Sequence, residues 1–556
     1  VGLLAALGCP AFAIGGDSQG DPRVLDLSLL IAPGYPCTWP TFPRIQITPD
    51  ERIGPLGPYQ SEAMVMDGNT GTQLDVPPHS VTPPDSGLSN AGRFGRAFTE
   101  TIPAWQFCGE ACVIDCRDVR DGPAPGRSSL ITKDRVIAWE KVYRPVGPGD
   151  VVLFASGYTD AYYRPLPAGR RFVAEPVAGK SPAWPDPDPD CMEYLASRKV
   201  MTLGTDSASM GPLPDLAEPT HLAGLQHGMI WTESATGLIG LPPTGAFYAM
   251  LSPKHVGSPY AEARALAVVG QPLAGRLIES ARGKRVIDLS VALGDDLPVA
   301  WTGRGVGEHR QPYIKVRFGM NANTKTPFES HILDSNAGTH LVPPAFAHPA
   351  KGFDNASYSA EVRTWLAEYE SRYGARGTSE VTAEQVPIAQ SCGPARVIDV
   401  RSLAGTTAKA NWPASPEITR AHIEAYEKQH GPLRPGDIVI FASGWSDRFY
   451  RPLPEGKACM DDPLTGKSEG WPAPGPDAVV YLAEKGIRCV GTDAPSLGGA
   501  GAKRALMTYW ALGTRGMIGV EYLTNLETVP EGAYFLFAAL KIAGCHGGPG
   551  RALALY

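Results

Sequence analysis

Short apolar, β-branched runs bounded by glycine and proline recur along the chain. VLDLSL from Val24, ACVIDCRDV from Ala111 and DVVLFASG from Asp150 are the clearest. Runs of that length and composition predict buried strands. PDCMEYLASRK from Pro189 carries helical periodicity instead and leads into the strand-like VMTLGTD. PDAVVYLAEKG from Pro476 leads in the same way into IRCVGTD. Strands alternating with amphipathic helices predict an α/β chain in which strands dominate.

The pattern is written twice. VLDLSLLIAPGYPCTWP from Val24 returns as VIDLSVALGDDLPVAWTG from Val286. PGDVVLFASGYTDAYYRPLP from Pro148 returns from Pro435 (435 − 148 = 287), and GTDSAS from Gly204 returns as GTDAPS from Gly491 (491 − 204 = 287). Matches of this length in one order mean two homologous domains, with a period far too long for a solenoid. The reading divides the chain into an N-terminal arm at 1–22, a first domain at 23–266, a helical linker at 267–285 and a second domain at 286–556. An insertion separates the copies: NTGT to NAGT is 336 − 69 = 267, but VIDC to VIDV is 397 − 113 = 284. The added residues fall around SAEVRTWLAEYESRYG and predict an extra helix over one mouth. Duplicated domains are expected to pack as a pseudo-twofold pair, inherited from a homodimer.

At 556 residues the chain exceeds what one core organises. Its net charge of −7 and its lack of a Lys/Arg run argue against a nucleic-acid partner. No apolar run approaches the roughly 20 residues of a membrane helix. The opening VGLLAALGCPAFAIGG ends its apolar run in Ala11-Phe12-Ala13, like the rear of a secretory signal peptide. That predicts an exported, periplasmic protein; a retained arm on a cytoplasmic protein is the alternative. Cys108, Cys112 and Cys116 recur every fourth residue without a CxxC pair, which reads as buried small hydrophobes. A Cys108–Cys112 disulfide is the alternative in an oxidising compartment.

Chemistry concentrates in NTGTQLDVPPH, Asn69 to His79. Asn69, Gln73, Asp75 and His79 are separated by even intervals, which on an extended strand puts all four on one face. Gly71 adds no side chain to that face and leaves room for an ion or ligand. Two amides, a carboxylate and an imidazole on one open face point to a metal or hydrolytic site; a polar strand edge entering a proline turn is the structural alternative. No G-x-S-x-G, Walker loop or dinucleotide fingerprint competes, and HLAGLQHG lacks HExxH.

NTGTQLDVPPH resembles the HxGTHxDxPxH signature of the cyclase family of metal-dependent hydrolases, which includes kynurenine formamidase and isatin hydrolase. Gly71, Thr72, Asp75, Pro77 and His79 match it; Asn69 and Gln73 stand where the family carries metal-ligating histidines. The resemblance implies two cyclase-fold domains of mixed β-sheet, swivelling β/α/β type, packed as a pseudo-dimer. It also implies a later histidine and glutamate, which HLAGLQHGMIWTE supplies as His221 and Glu233. Thr220 as N-cap and Gly228 as stop would put His221 at a helix start, with Glu233 on the next strand. Trp39 and Pro40 resemble the aromatic wall that flanks the pocket in relatives.

The implied metal set is Asn69, Gln73, Asp75, His221 and Glu233, with His79 and Glu233 as catalytic candidates. Oxygen-rich donors and two carboxylates favour one divalent ion, Mn²⁺ before Zn²⁺ or Mg²⁺. Such an ion polarises a carbonyl and lowers the pKa of a bound water from about 16 towards about 7. His79 would shuttle a proton to the leaving group; a metal ligand, or a hydrogen-bond donor to one of the ligands, are its other readings. The implied activity is hydrolysis of a small amide, cyclic amide or lactone. The alternatives are a small-molecule-binding protein and a metal-assisted lyase or isomerase.

In the second half NAGTHLVPPAF puts Val342 opposite Asp75 and Phe346 opposite His79, with His340 opposite Gln73. Tyr509 stands opposite His221, and only Glu521 survives opposite Glu233. That half is expected to be a degenerate copy that supplies partner surface within the chain, with further homo-oligomers open.

Overall fold

Four of the apolar runs form the centre of the first half. Cys108–Asp115, Asp150–Ala155, Thr202–Thr205 and Ile230–Glu233 pair in parallel, each the neighbour of the next. Antiparallel strands extend this centre on both sides into a nine-stranded mixed sheet. The short strand Gln73–Asp75 lies between Ile230–Glu233 and Tyr260–Glu262. The structure, a computed structural model, describes residues 22–299, 301 and 313–556. The apolar N-terminal segment read as a signal remnant lies outside the described residues.

The second half repeats the plan and closes it. Its eight strands run from Val286–Asp288 to Tyr534–Ala539, and Gly548–Leu555 pairs with Tyr534–Ala539 to complete a barrel. In the first half the counterpart of Gly548–Leu555 breaks at Ala263 into Tyr260–Glu262 and Arg264–Val269. The fold is therefore mixed α/β with two sheet cores, a half-barrel and a closed barrel.

The most faithful parts of the repeat touch each other, which gives their similarity a physical reason. The buried Asp206 of GTDSAS accepts hydrogen bonds from Ser156 N at 2.8 Å, Ser156 Oγ at 2.6 Å and Gly157 N at 2.6 Å. Asp493 does the same with Ser443 N at 2.9 Å, Ser443 Oγ at 2.5 Å and Gly444 N at 2.6 Å. A buried carboxylate without those donors would cost far more than an exposed one. Helices follow the sequence pattern: Pro189–Ser197 starts on an Asp188 cap bonded to Cys191 N at 2.8 Å, and Pro476–Glu484 is its twin. A helix at Leu273–Arg282 joins the halves. The inserted helix Ala360–Tyr373 packs on Ala502–Thr514, with the rings of Tyr369 and Trp510 5.5 Å apart.

The halves share a four-stranded sheet, in the order Ile314–Met320, Pro327–Asp334, Ser61–Asp67, Gln46–Glu51. Val65 faces Ile332, and 332 − 65 = 267 is the local repeat offset, so the two are equivalent positions. Met66 faces His331 and Met64 faces Leu333, the same relation read in both directions. A pseudo-twofold axis therefore passes beside Val65 and Ile332. Ion pairs obey it: Lys541 of the second half reaches Asp26 at 2.8 Å, and Lys254 of the first reaches Asp288 at 3.2 Å. Leu266 and Val268 share one core with Leu536 and Leu553.

The nine described cysteines are all free and buried. Cys108 and Cys112 lie four residues apart on one strand, a separation of about 13 Å that no disulfide spans, so that alternative is excluded.

Because core and sheet cross the boundary, thermal unfolding should be one cooperative transition, with calorimetric and van't Hoff enthalpies agreeing. Two resolved transitions in differential scanning calorimetry would mean the halves are independent.

Candidate active site

The segment Asn69–His79 is not one strand. Only Gln73–Asp75 is extended; a turn precedes it, with Gly71 at φ +70°, and Pro77–His79 is a single 3₁₀ turn. A Cβ on Gly71 would lie 2.7 Å from Ile31 Cγ1, so glycine answers to backbone conformation and packing. That replaces the expectation that Gly71 leaves room for an ion. Asn69, Gln73 and His79 nevertheless line one cavity, brought there by two turns and a short strand. Register puts Trp231, Asp75 and Tyr260 in one row across the sheet, and Glu233, Gln73 and Glu262 in the next.

His221 comes from the middle of helix Ala217–Leu225, which corrects its expected place at a helix start. Leu216 is the N-cap, and the Thr220 hydroxyl goes to Pro187 O at 3.2 Å. Its interior position fixes its tautomer. Nδ1 lies 2.8 Å from the carbonyl oxygen of Ala217, which can only accept, so Nδ1 carries the proton. Nε2 then faces Asp75 Oδ2 at 3.5 Å and Glu233 Oε1 at 3.4 Å.

Glu233 is held by Met210 N at 2.6 Å, Gln73 Nε2 at 2.8 Å and Trp231 Nε1 at 3.2 Å. Gln73 Nε2 also donates to Asn69 Oδ1 at 3.1 Å, which ties both amides to the glutamate. Asp75 is closed to solvent; Oδ2 accepts from Trp231 Nε1 at 3.1 Å, and Oδ1 has no hydrogen-bond partner. His79 Nε2 stands 3.8 Å from Asp75 Oδ2, and its ring lies nearly perpendicular to that of Tyr260 with centroids 5.2 Å apart.

The electrostatics pull the two imidazoles apart. Burial lowers the His79 pKa to about 3, and the neighbouring His221 adds to that shift. Burial acts on His221 in the same direction, but the Asp75 and Glu233 carboxylates at Nε2 outweigh it and hold its pKa up at about 10. Glu233 is raised by burial and then by the Asp75 charge. Donor atoms of Asp75, His79 and His221 lie within 4.8 Å of one another, and the second carboxylate stands beside them. An orphaned carboxylate oxygen, two imidazoles and two buried carboxylates fit a divalent cation in charge and donor type.

The cavity above these groups is about 320 Å³. Trp39, Phe42, Phe172, Trp184 and Phe328 form its apolar walls, whereas Pro40 is exposed outside it. The second half closes the mouth. Asn321, Thr324 and Phe328 line the cavity, Thr326 Oγ1 donates to His79 O at 2.9 Å, and Asn323 Nδ2 donates to Glu218 at 2.7 Å.

The first half covers the degenerate site in return. Gln60 N donates to Phe346 O at 2.9 Å, and the Tyr59 ring stacks on Phe346 at 4.9 Å and edges Tyr509 at 5.9 Å. Tyr509 Oη donates to Glu521 at 2.6 Å, and His340 Nε2 lies 3.2 Å from Glu521. Tyr59 and Thr326 are equivalent positions (326 − 59 = 267), so one fills a site and the other leaves one open.

Sequence reasoning missed Trp231, although alternation along Ile230–Glu233 puts it on the face of Glu233. It also missed Met210 N and the covering segment at 321–328, which only the chain's tertiary path brings in.

A family profile described as "Putative cyclase" matches residues 25–212 and 287–498. Isatin hydrolase of Roseibium aggregatum is 25% identical over 235 residues, 40% of this chain and 80% of that protein. Isatin hydrolase A from Labrenzia aggregata bound to benzyl benzoate aligns at 22% identity and a TM-score of 0.37, covering 51% of this chain and 99% of that one. A predicted metal-dependent hydrolase from Bacillus stearothermophilus aligns at 22% identity and a TM-score of 0.31, covering 48% and 97%.

Asp75→Ala should abolish turnover and metal uptake at this site, while Glu521→Ala should leave kcat within a few-fold; the reverse pattern would place the working site in the other half. A pH dependence follows from His221. Without an ion, its raised pKa contributes stability that is complete below 6.5 and is lost as pH rises through about 10. Metal uptake at pH 7 should therefore expel about one proton per ion. Calorimetry in two buffers of different ionisation enthalpy measures this, and identical heats would contradict it.

Proposed function

The chain belongs to the putative cyclase family, with both halves matched, and from that premise we propose that its first half is a metal-dependent hydrolase of a small amide, cyclic amide or lactone. The observation that carries this is the convergence of Asp75, His79, His221 and Glu233 at the floor of an aromatic-walled cavity. A volume of about 320 Å³ suits a small substrate, and facing aromatic side chains suit a flat ring. The relative named isatin hydrolase supports a cyclic amide fused to an aromatic ring as the first substrate to try.

Asp75, His221 and Glu233 would hold the ion, with Mn²⁺ the favoured metal; Asn69 and Gln73, expected as oxygen ligands, would have to turn their amides to reach it, because Gln73 Nε2 is committed to Glu233 and to Asn69 Oδ1. When bound, such an ion polarises a carbonyl and makes water a nucleophile near neutral pH. The residues supply the rest. The three donors to Glu233 fix its carboxylate before substrate arrives, so no reorganisation is needed during reaction. Trp39, Phe42 and Phe328 position the ring and exclude bulk water. Burial and then His221 keep His79 neutral at pH 7, so its part would be to orient the attacking water and relay a proton to the leaving nitrogen or oxygen rather than to store one. A step of that kind contributes about 10²–10⁴-fold. A ligand role for His79 is the second reading, favoured by its place within 4.8 Å of the Asp75 and His221 donors.

Isatin ring opening should be lost on chelation and return with Mn²⁺. Ligand binding without turnover at any metal content would favour a binding protein. The amides have their own test: Asn69→Ala and Gln73→Ala should each lose metal content, and Asn69→His with Gln73→His should move preference towards zinc. Full metal occupancy in both alanine variants would make the amides groups that orient Glu233 and contact substrate.

A further inference from the structure

The cavity is short of positive charge. No lysine or arginine among the described residues lines it. At its floor Asp75 and Glu233 balance the two charges of a divalent ion, and without an ion they outnumber His221. The mouth adds a carboxylate that the hydrolytic reading leaves unused. Glu218 lies in the first turn of helix Ala217–Leu225, three residues before His221, so the two share one helix face and both line the cavity. It is half-buried.

The second half holds this charge in place. Asn321 Oδ1 accepts from Asn323 N at 2.8 Å and Thr324 N at 3.0 Å, which leaves its amide nitrogen to face Glu218 Oε1 at 3.3 Å. Asn323 Nδ2 donates to Oε2 at 2.7 Å. The turn that carries both asparagines is fixed at two further points. Asn90 Nδ2 donates to Thr324 O at 2.8 Å, and Thr326 Oγ1 donates to His79 O at 2.9 Å. Lys325, the turn's own cation, bends its amine back to Ala322 O. Two neutral amides therefore orient the Glu218 carboxylate without cancelling its charge.

Building the helix does not require an acid here. Leu506 stands opposite Glu218 at the offset that pairs Tyr509 with His221 (506 − 218 = 509 − 221 = 288), and it is buried in the second half's core. The copy with the cavity has a charge at this position, and the degenerate copy has an apolar side chain.

A carboxylate on an entering molecule would give up water and meet Glu218 with no cation to pair with. Unpaired charge of that kind rejects one ligand without adding affinity for another. We propose that Glu218 is a charge filter: the cavity takes a flat ring without negative charge and turns away the same ring carrying a carboxylate. The proposal rests on reading this cavity as a substrate site and adds the charge class of that substrate.

The test pairs isatin-5-carboxamide with isatin-5-carboxylate, which differ in charge and hardly in size. Dissociation constants are measured by calorimetry on the full chain treated with chelator, where turnover does not interfere. Turnover of both compounds is then measured with Mn²⁺. The carboxamide should bind at least about 10-fold more tightly than the carboxylate. Glu218→Gln should cut that ratio at least about 3-fold. Asn323→Ala, which loosens the turn and keeps the charge, should leave the ratio at or above its wild-type value. Equal wild-type affinities, or binding of neither compound, would overturn the proposal. So would a ratio that survives Glu218→Gln, or one that falls as far in Asn323→Ala. Discrimination in binding with turnover of neither compound would instead remove the hydrolase reading and leave the filter standing.

Discussion

The carboxylate of Asp75, fully buried with one oxygen unpaired, is the constraint on which the first half depends. A charge in that position is tolerated only with positive charge beside it, and the fold supplies the means from three directions. The central strand Ile230–Glu233 brings Trp231 to donate to it, helix Ala217–Leu225 aims His221 Nε2 at it, and the turn after Val76 brings His79. A divalent cation answers the same demand. The cavity lies over this centre, whereas in the opposite copy Val342 and Phe346 stand in place of the aspartate and the histidine and the rings of Tyr59, Phe346 and Tyr509 pack together.

Duplication then divided the work. Each half sends the segment beside its shared-sheet strand over the other half's site, and the pseudo-twofold axis beside Val65 and Ile332 makes the exchange reciprocal. Tyr59 closes one site, and Thr326 fastens to the His79 carbonyl and leaves the other open. The second half is thus part of the wall of the first half's cavity.

Much of this was legible in the sequence, for reasons that differ by residue. The repeat and its offsets foretold both the two cores and their reciprocal packing, since equivalent sequences inherit equivalent contacts. The even spacing from Asn69 to His79 foretold convergence, but through the wrong geometry, because Gly71 and the Pro77-Pro78 turn bend a path that period-2 reasoning assumes straight. His221 was found through resemblance and misplaced within its helix, because Thr220 looks like a cap yet bonds backwards to Pro187. Trp231 could have been read from strand alternation.

The most direct measurement is anomalous diffraction from crystals grown with Mn²⁺, recorded on either side of the manganese edge. The account predicts a peak among Asp75, His221 and Glu233 and none beside Glu521. A peak at Glu521, or an empty first site with the cavity's aromatic walls in place, would contradict it.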